Sequence, residues 1–292
     1  MQISFTKMHG CGNDYVYVSG FTEKLPDEEK PEFARRMSDR HFGIGGDGVI
    51  FINPSEEADF EMEMYNADGS RGMMCGNGIR CVGKYVYDNK MTDRTEIRVI
   101  SGGSVKLLTL FPKDGKVERV RVNMGAPVLE AEKIPVRSDE GRVIGQPISV
   151  GGREWKMTCV SMGNPHAVVL AEPPEALALE RLEIEKIGPL FEHHERFPDR
   201  VNTEFIRVID EHTVQMRVWE RGSGETLACG TGCCAVTAAC VLNGLTGRRV
   251  TVRVLGGELE IEWDEETNEI YMTGPAETVF EGCVEYEPNQ KG

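Results

Sequence analysis

The feature that most constrains this chain is an internal repeat. Gly12-Asn13-Asp14-Tyr15-Val16-Tyr17-Val18 aligns with Gly163-Asn164-Pro165-His166-Ala167-Val168-Val169, each a Gly-Asn turn that enters an apolar strand. Asn66 lies nine residues before Cys75-Gly76-Asn77-Gly78, and Glu220 lies nine residues before Cys229-Gly230-Thr231-Gly232. Seven residues after each cysteine stands a valine, Val82 or Val236, within an apolar helical stretch. A single Cys-Gly-x-Gly is weak. Two in matching context, about 150 residues apart, indicate a duplicated architecture.

Short alternating or β-branched segments supply strands in both halves. The first half has Val49–Ile52, Arg98–Ile100, Val105–Leu110 and Val117–Val122, and the second has Val214–Trp219, Val250–Val254 and Leu259–Trp263. A helix is expected directly after each Cys-Gly-x-Gly, over roughly 77–88 and 231–242. The second helix is apolar nearly all round, from Cys233 to Leu242, so it must be buried on every side. The expected fold is α+β, with two pseudo-symmetric domains, each a β-sheet or barrel wrapped around a central buried helix. The boundary is placed near Ala126-Pro127. Residues 1–127 carry Cys75 and are joined by the returning segment 275–292, and residues 128–274 carry Cys229.

A chain of 292 residues can form about two domains with buried cores. Its formal charge of −15 argues against a nucleic-acid partner, which needs a basic surface. The acidic residues, in Glu56–Glu63, Glu172–Glu185 and Glu258–Glu266, read as a solvated surface. Apolar stretches such as Ala235–Leu242 are too short to span a bilayer, so no membrane association is expected. Met1-Gln2-Ile3-Ser4-Phe5 enters a strand pattern at once, and neither a signal nor a transit peptide is expected. Nine cysteines, an odd number, then point to a reducing cytoplasm rather than a disulfide framework.

Each repeated cysteine precedes a helix. A helix N-terminus carries unpaired N–H groups and partial positive charge, which lower a thiol pKa and also hold a carboxylate. Two such ends facing one carbon let one thiolate remove a proton while the opposing thiol delivers one to the other face. That inverts a stereocentre. No lysine motif for pyridoxal phosphate is evident, so no cofactor is expected, and carbanion stabilisation falls to preorganised N–H dipoles in a dry site.

With those residues in hand, the chain resembles the diaminopimelate epimerase family over nearly its whole length. The matching segments are FTKMHGCGNDYVYV (5–18), RHFGIGGDGV (40–49), MYNADGSRGMMCGNGIRC (64–81), VSMGNPHAVV (160–169), RVNTEFI (200–206) and WERGSGETLACGTG (219–232). The resemblance implies two domains of related fold with the site between them. It implies interconversion of L,L- and meso-2,6-diaminopimelate on the route to lysine and peptidoglycan, and a homodimer by family habit. It makes Cys75 and Cys229 the catalytic thiols, with His166 and Glu220 orienting them. It places substrate contacts at Asn13, Asn66, Asn164, Asn202, Glu220 and Arg221, and carboxylate binding at Gly76-Asn77 and Gly230-Thr231. Gly48 departs from the pattern, because some members carry a glutamine there, whose side-chain contact a glycine does not make.

The remaining cysteines read as structural: Cys233, Cys234 and Cys240 on the apolar helix, and Cys11, Cys81, Cys159 and Cys283 elsewhere. Cys229, Cys233 and Cys234 on one buried helix do not make a tetrahedral zinc site, and no metal is expected. His193-His194 read as a solvated helix face, and His9 and His41 as structural. The four asparagines also suit turns, and the repeat and the resemblance favour the site. The nearest alternative is a proline racemase or hydroxyproline epimerase-like enzyme. The Glu220-Arg221 pair and the asparagines favour a longer substrate with an amino-acid group at each end. Thiol–disulfide exchange lacks a Cys-x-x-Cys pair, and a non-catalytic amino-acid-binding protein would not need two tuned thiols.

Overall fold

The computed structural model describes residues 1–171 and 179–288, so part of the acidic stretch 172–185 and the end of segment 275–292 lie outside the described residues. The chain divides into two compact units, Met1–Val122 with Gly274–Gly292, and Asn123–Thr273, against the 127/128 boundary expected above.

The first unit holds β1 (Gln2–Gly10), β2 (Asn13–Ser19), α1 (Lys30–Ser38), β3 (Gly48–Asn53), β4 (Phe60–Asn66), β5 (Arg71–Gly72), α2 (Gly76–Asp88), β6 (Glu96–Ser101), β7 (Ser104–Lys113) and β8 (Lys116–Gly125). The last residues of β8 pass into the second unit. The returning segment adds β18 (Glu277–Glu285), antiparallel to β1. From β1/β2 the pairings run antiparallel, parallel (β2/β3), antiparallel (β3/β4), parallel (β4/β6), antiparallel and antiparallel.

The second unit holds β9 (Gln146–Val150), β10 (Arg153–Ser161), β11 (Pro165–Leu170), α3 (Ile184–Glu192), β12 (Asn202–Asp210), β13 (Thr213–Glu220), β14 (Gly224–Thr226), α4 (Gly230–Leu242), β15 (Arg249–Val254), β16 (Gly257–Trp263) and β17 (Ile270–Pro275), whose last residues Gly274 and Pro275 belong to the first unit. From β10/β11 onward the same succession appears, with parallel steps at β11/β12 and β13/β15. A parallel step requires a crossover, and each crossover contains a helix: α1 and α2 in one unit, α3 and α4 in the other. The repeat in the sequence is a repeat of topology.

The central strands are buried on both faces, which is why they read as continuous apolar runs. Val16, Val18, Val49 and Phe51 pack with Phe33, Ala34 and Met37 of α1. The alternate residues turn to α2: the Tyr17 hydroxyl donates to Gly78 O at 3.2 Å, and Ile50 lies beneath Gly78. In the second unit Ala167, Val169 and Phe205 pack with Ile184 and Phe191 of α3. Each large apolar side chain so buried contributes about 1.5–3 kcal/mol. The outer helices α1 and α3 were not foreseen from the sequence.

Helix α4 is buried from Gly232 to Cys240 and packs on β10, β11, β12, β15 and β16. Helix α2 packs on β1, β2 and β7 and carries polar groups into the interior. Arg80 is fully buried, donating from Nη1 to Gly76 O (3.1 Å) and from Nε to Pro275 O (3.0 Å). One expectation is corrected here. Residues Glu192–Arg196 are not a solvated helix face, because α3 ends at Glu192. The buried Glu192 carboxylate folds back to accept from Trp219 Nε1 (2.7 Å) and Gly222 N (3.0 Å).

Candidate active site

Cys75 is the N-cap of α2 and Cys229 the N-cap of α4, both in extended backbone. This is the position from which a side chain reaches the free N–H groups of the first turn. Cys75 Sγ accepts from Gly78 N at 3.3 Å, and Cys229 Sγ from Gly232 N at 3.4 Å. A side chain packs closely beneath each glycine at the helix start. A Cβ on Gly78 would come to 2.7 Å from Ile50 Cδ1, and one on Gly232 to 2.7 Å from Glu204 Oε1.

In the first unit the half-buried Cys75 thiol donates to Asn13 Oδ1 at 3.1 Å. Asn13 Nδ2 donates in turn to Asp47 Oδ2 at 2.7 Å, and Arg40 bridges Asp47 (2.9 Å) and Asp14 (2.7 Å). Lys7 pairs with the other Asp14 oxygen at 2.6 Å. Arg40 and Lys7 together hold the Asp14 carboxyl below its ordinary range against the opposing effect of burial. Gly76 and the buried Asn77 open α2. Asn66 ends β4 opposite Gly48, where its amide donates to Ser70 Oγ at 3.0 Å, so it also shapes the β4–β5 turn. At Gly48 a Cβ would lie 2.1 Å from Tyr65 O, leaving no room for the side chain that the resemblance associates with that position.

In the second unit Cys229 is only 5% exposed, and Thr231 Oγ1 lies 3.5 Å from its sulfur. Asn164 Nδ2 donates to Thr231 Oγ1 (3.3 Å), and Asn164 Oδ1 is 3.0 Å from His166 Nε2. His166 Nδ1 is 2.7 Å from Glu204 Oε1, and neither residue has any exposed surface. Glu220 accepts from Thr226 Oγ1 at 2.5 Å, and burial raises its carboxyl pKa despite that bond. Asn202 Nδ2 donates to Pro165 O, and Asn202 Oδ1 accepts from Arg221 N, both at 2.9 Å. Arg221 Nη1 donates to Asp199 O at 2.9 Å.

The expectation that a helix end lowers the thiol pKa is reversed at Cys229. Burial, followed by the charges of Glu220 and Glu204, pushes this thiol well above its ordinary value, outweighing the bonds from Thr231 and Gly232. Cys229 is therefore held as the protonated thiol. His166, Glu204 and Cys229 also each offer a ligand atom, all within 4.8 Å of one another, in donor types that suit zinc. At 2.7 Å, however, the His166 and Glu204 atoms are hydrogen-bonded to each other.

Glu204, Asp47 and Arg40 were missed in the sequence. For Glu204 the available signal was a lone acid inside the otherwise uncharged run Val201–Ile206.

The fold matches a probable proline racemase from Agrobacterium radiobacter with a TM-score of 0.70 at 16% identity, over 99% of this chain and 94% of that one. It matches a hydroxyproline epimerase from Agrobacterium vitis with a TM-score of 0.67 at 15% identity, over 97% and 91%. The fold is thus the one these racemase and epimerase structures share. The diaminopimelate epimerase family model matches residues 5–130 and 158–279. A diaminopimelate epimerase of Agathobacter rectalis is 56% identical over 97% of this chain and 99% of its own length. One of Methanococcus maripaludis is 54% identical over 97% and 100%. The chain belongs to the diaminopimelate epimerase family.

Proposed function

We propose that this protein interconverts L,L- and meso-2,6-diaminopimelate by a two-base mechanism, with Cys75 serving one face of the α-carbon and Cys229 the other. The observation that carries this reading is the paired placement of the two thiols. Each is the N-cap of a helix in a repeated unit, with its sulfur on the N–H of the third helical residue. Those N–H groups stabilise whichever sulfur becomes the thiolate. Held protonated, Cys229 is poised to deliver a proton in the resting enzyme.

The reacting carboxylate is assigned to the helix ends at Gly76-Asn77 and Gly230-Thr231, because negative charge grows there in the transition state. Arg221 and the amides of Asn66 and Asn202 are assigned to the distant amino-acid end, whose charge is constant and needs only uniform binding. Asn13 and Asn164 are assigned to the thiols as well as to substrate. A side-chain amide has two donors and two lone pairs, so one bond at each end leaves capacity for a ligand. His166 and Glu220 are read as orienting Cys229.

The reading places the enzyme in lysine and peptidoglycan precursor synthesis. It further infers a cytoplasmic homodimer of two related domains with no nucleic-acid partner. No described helix is long and apolar enough to cross a membrane. The deciding experiment is incubation with diaminopimelate in deuterated solvent. Deuterium should appear at the α-carbon as the stereoisomers interconvert. Binding without exchange, or exchange into proline or 4-hydroxyproline instead, would overturn the assignment.

A further inference from the structure

The internal repeat lets one half of the protein serve as a control for the other. In the first unit β2 pairs with β3 so that Tyr15 stands opposite Gly48 and Tyr17 opposite Ile50. In the second unit β11 pairs with β12 so that His166 stands opposite Asn202 and Val168 opposite Glu204. Tyr15 and His166 are equivalent in the aligned repeat, so Ile50 and Glu204 are equivalent too. The packing agrees: Ile50 lies beneath Gly78, Glu204 beneath Gly232, and both glycines are the third residue of the helix that follows a cysteine. One fold position therefore holds an isoleucine in one half and a fully buried carboxylate in the other.

The fold does not require an acid there, because Ile50 fills the same place at no exposure. A buried carboxylate is destabilising unless it is well bonded, and Glu204 Oε2 has no hydrogen-bond partner among the described residues. What the acid does have is the His166 Nδ1 contact at 2.7 Å. Beyond the ring, contacts run from His166 Nε2 to Asn164 (3.0 Å), from Asn164 to Thr231 (3.3 Å), and from Thr231 to the Cys229 sulfur (3.5 Å). The first unit has no histidine at the equivalent place, and its thiol is met directly by an asparagine.

We propose that Glu204 is a positioning residue for the Cys229 half of the site. It fixes the ring of His166 by accepting from Nδ1 while Asn164 Oδ1 accepts from Nε2, so that the ring, Asn164 and Thr231 form one aligned chain to the Cys229 thiol. A carboxylate accepts the Nδ1 proton and thereby sets the ring orientation, as carboxylates beside histidines do at other catalytic centres. The Cys75 half lacks this device, so the two thiols are tuned by different means. The kinetic part of this inference rests on the proposed epimerase activity.

The test replaces Glu204 with the residue its counterpart carries. Glu204→Ile should fold with thermal stability equal to or above wild type. It should lose roughly ten- to hundredfold in kcat on diaminopimelate while KM stays within about threefold. The 15N spectrum of the His166 ring should change, because Nδ1 loses the acceptor that fixes its proton. A folded Glu204→Ile enzyme with kcat within about twofold of wild type would overturn the proposal. Should Glu204→Ile not fold, Glu204→Leu, which likewise offers Nδ1 no acceptor, is judged by the same kcat criterion. Should wild type fail to turn over diaminopimelate, the activity assignment fails, and the ring spectrum still decides the placement. An unchanged His166 ring spectrum in the variant refutes it, and a changed one supports it.

Discussion

The Cys75 thiol donates to Asn13 Oδ1 across 3.1 Å, and the same amide is tied at its other end to Asp47 Oδ2 at 2.7 Å. The sulfur is thus aimed by a side chain that is itself anchored. Asn13→Ala removes the acceptor without disturbing the helix cap from Gly78. One hydrogen bond is worth about 1–1.5 kcal/mol, so kcat should fall roughly five- to tenfold. Steady-state kinetics read this, and an unchanged kcat removes Asn13 from the thiol's alignment.

Cys75→Ala and Cys229→Ala should each abolish epimerisation and leave the circular dichroism spectrum unchanged. In the proposed scheme each thiol serves one face of the carbon, so neither replaces the other. Serine at either place should be severely impaired, because a hydroxyl is far less acidic than a thiol. Near-wild-type turnover by either alanine variant would sink the two-base scheme.

Gly48→Gln should destabilise the first unit. Its Cβ would lie 2.1 Å from Tyr65 O, within β3 and against its neighbour β4. Overpacking of this kind is destabilising by about 1–3 kcal/mol or more. A melting curve checks it. An undiminished melting temperature would show that the strand yields at this point.

Stability should fall at alkaline pH. Burial raises the thiols of Cys81 to about 11 and of Cys159 and Cys240 to about 12, from an ordinary 9.0. Above pH 9 the unfolded chain releases these protons while the fold retains them. Stability present below 9 is therefore lost progressively as pH climbs toward 11 to 12. Denaturant unfolding at about pH 8 and about pH 10.5 should show the loss. Cys240→Ala should shrink that difference, and an identical difference in the variant would count against the assignment.

Arg221→Met should raise KM more than it lowers kcat. The guanidinium is assigned to the unreacting end of the substrate, and Asn202 holds only the Arg221 backbone N–H. Uniform binding energy lost in this way appears in KM. Unaltered KM and kcat would place Arg221 outside the site.

The sequence by itself determined the duplication, the two capping thiols and several strands of each half. These are local or periodic facts. Cys-Gly-x-Gly before an apolar run is a helix start wherever it occurs, and the nine-residue spacing from Asn66 and Glu220 is countable in one dimension. The central helices begin at Gly76 and Gly230, one residue before their expected starts. The tertiary structure alone decided what surrounds each sulfur. Asp47 reaches Cys75 through Asn13, and Glu204 lies under Gly232 only because β11 and β12 pair in a register that sets Val168 opposite it. A glutamate in a strand reads as solvent-facing until both faces of that strand are known to be covered, here by α3 and α4. The direction of the Cys229 pKa shift was likewise beyond the sequence. The helix end that lowers it is visible in the motif, but the burial and the two carboxylates that outweigh it are gathered from distant segments by the fold.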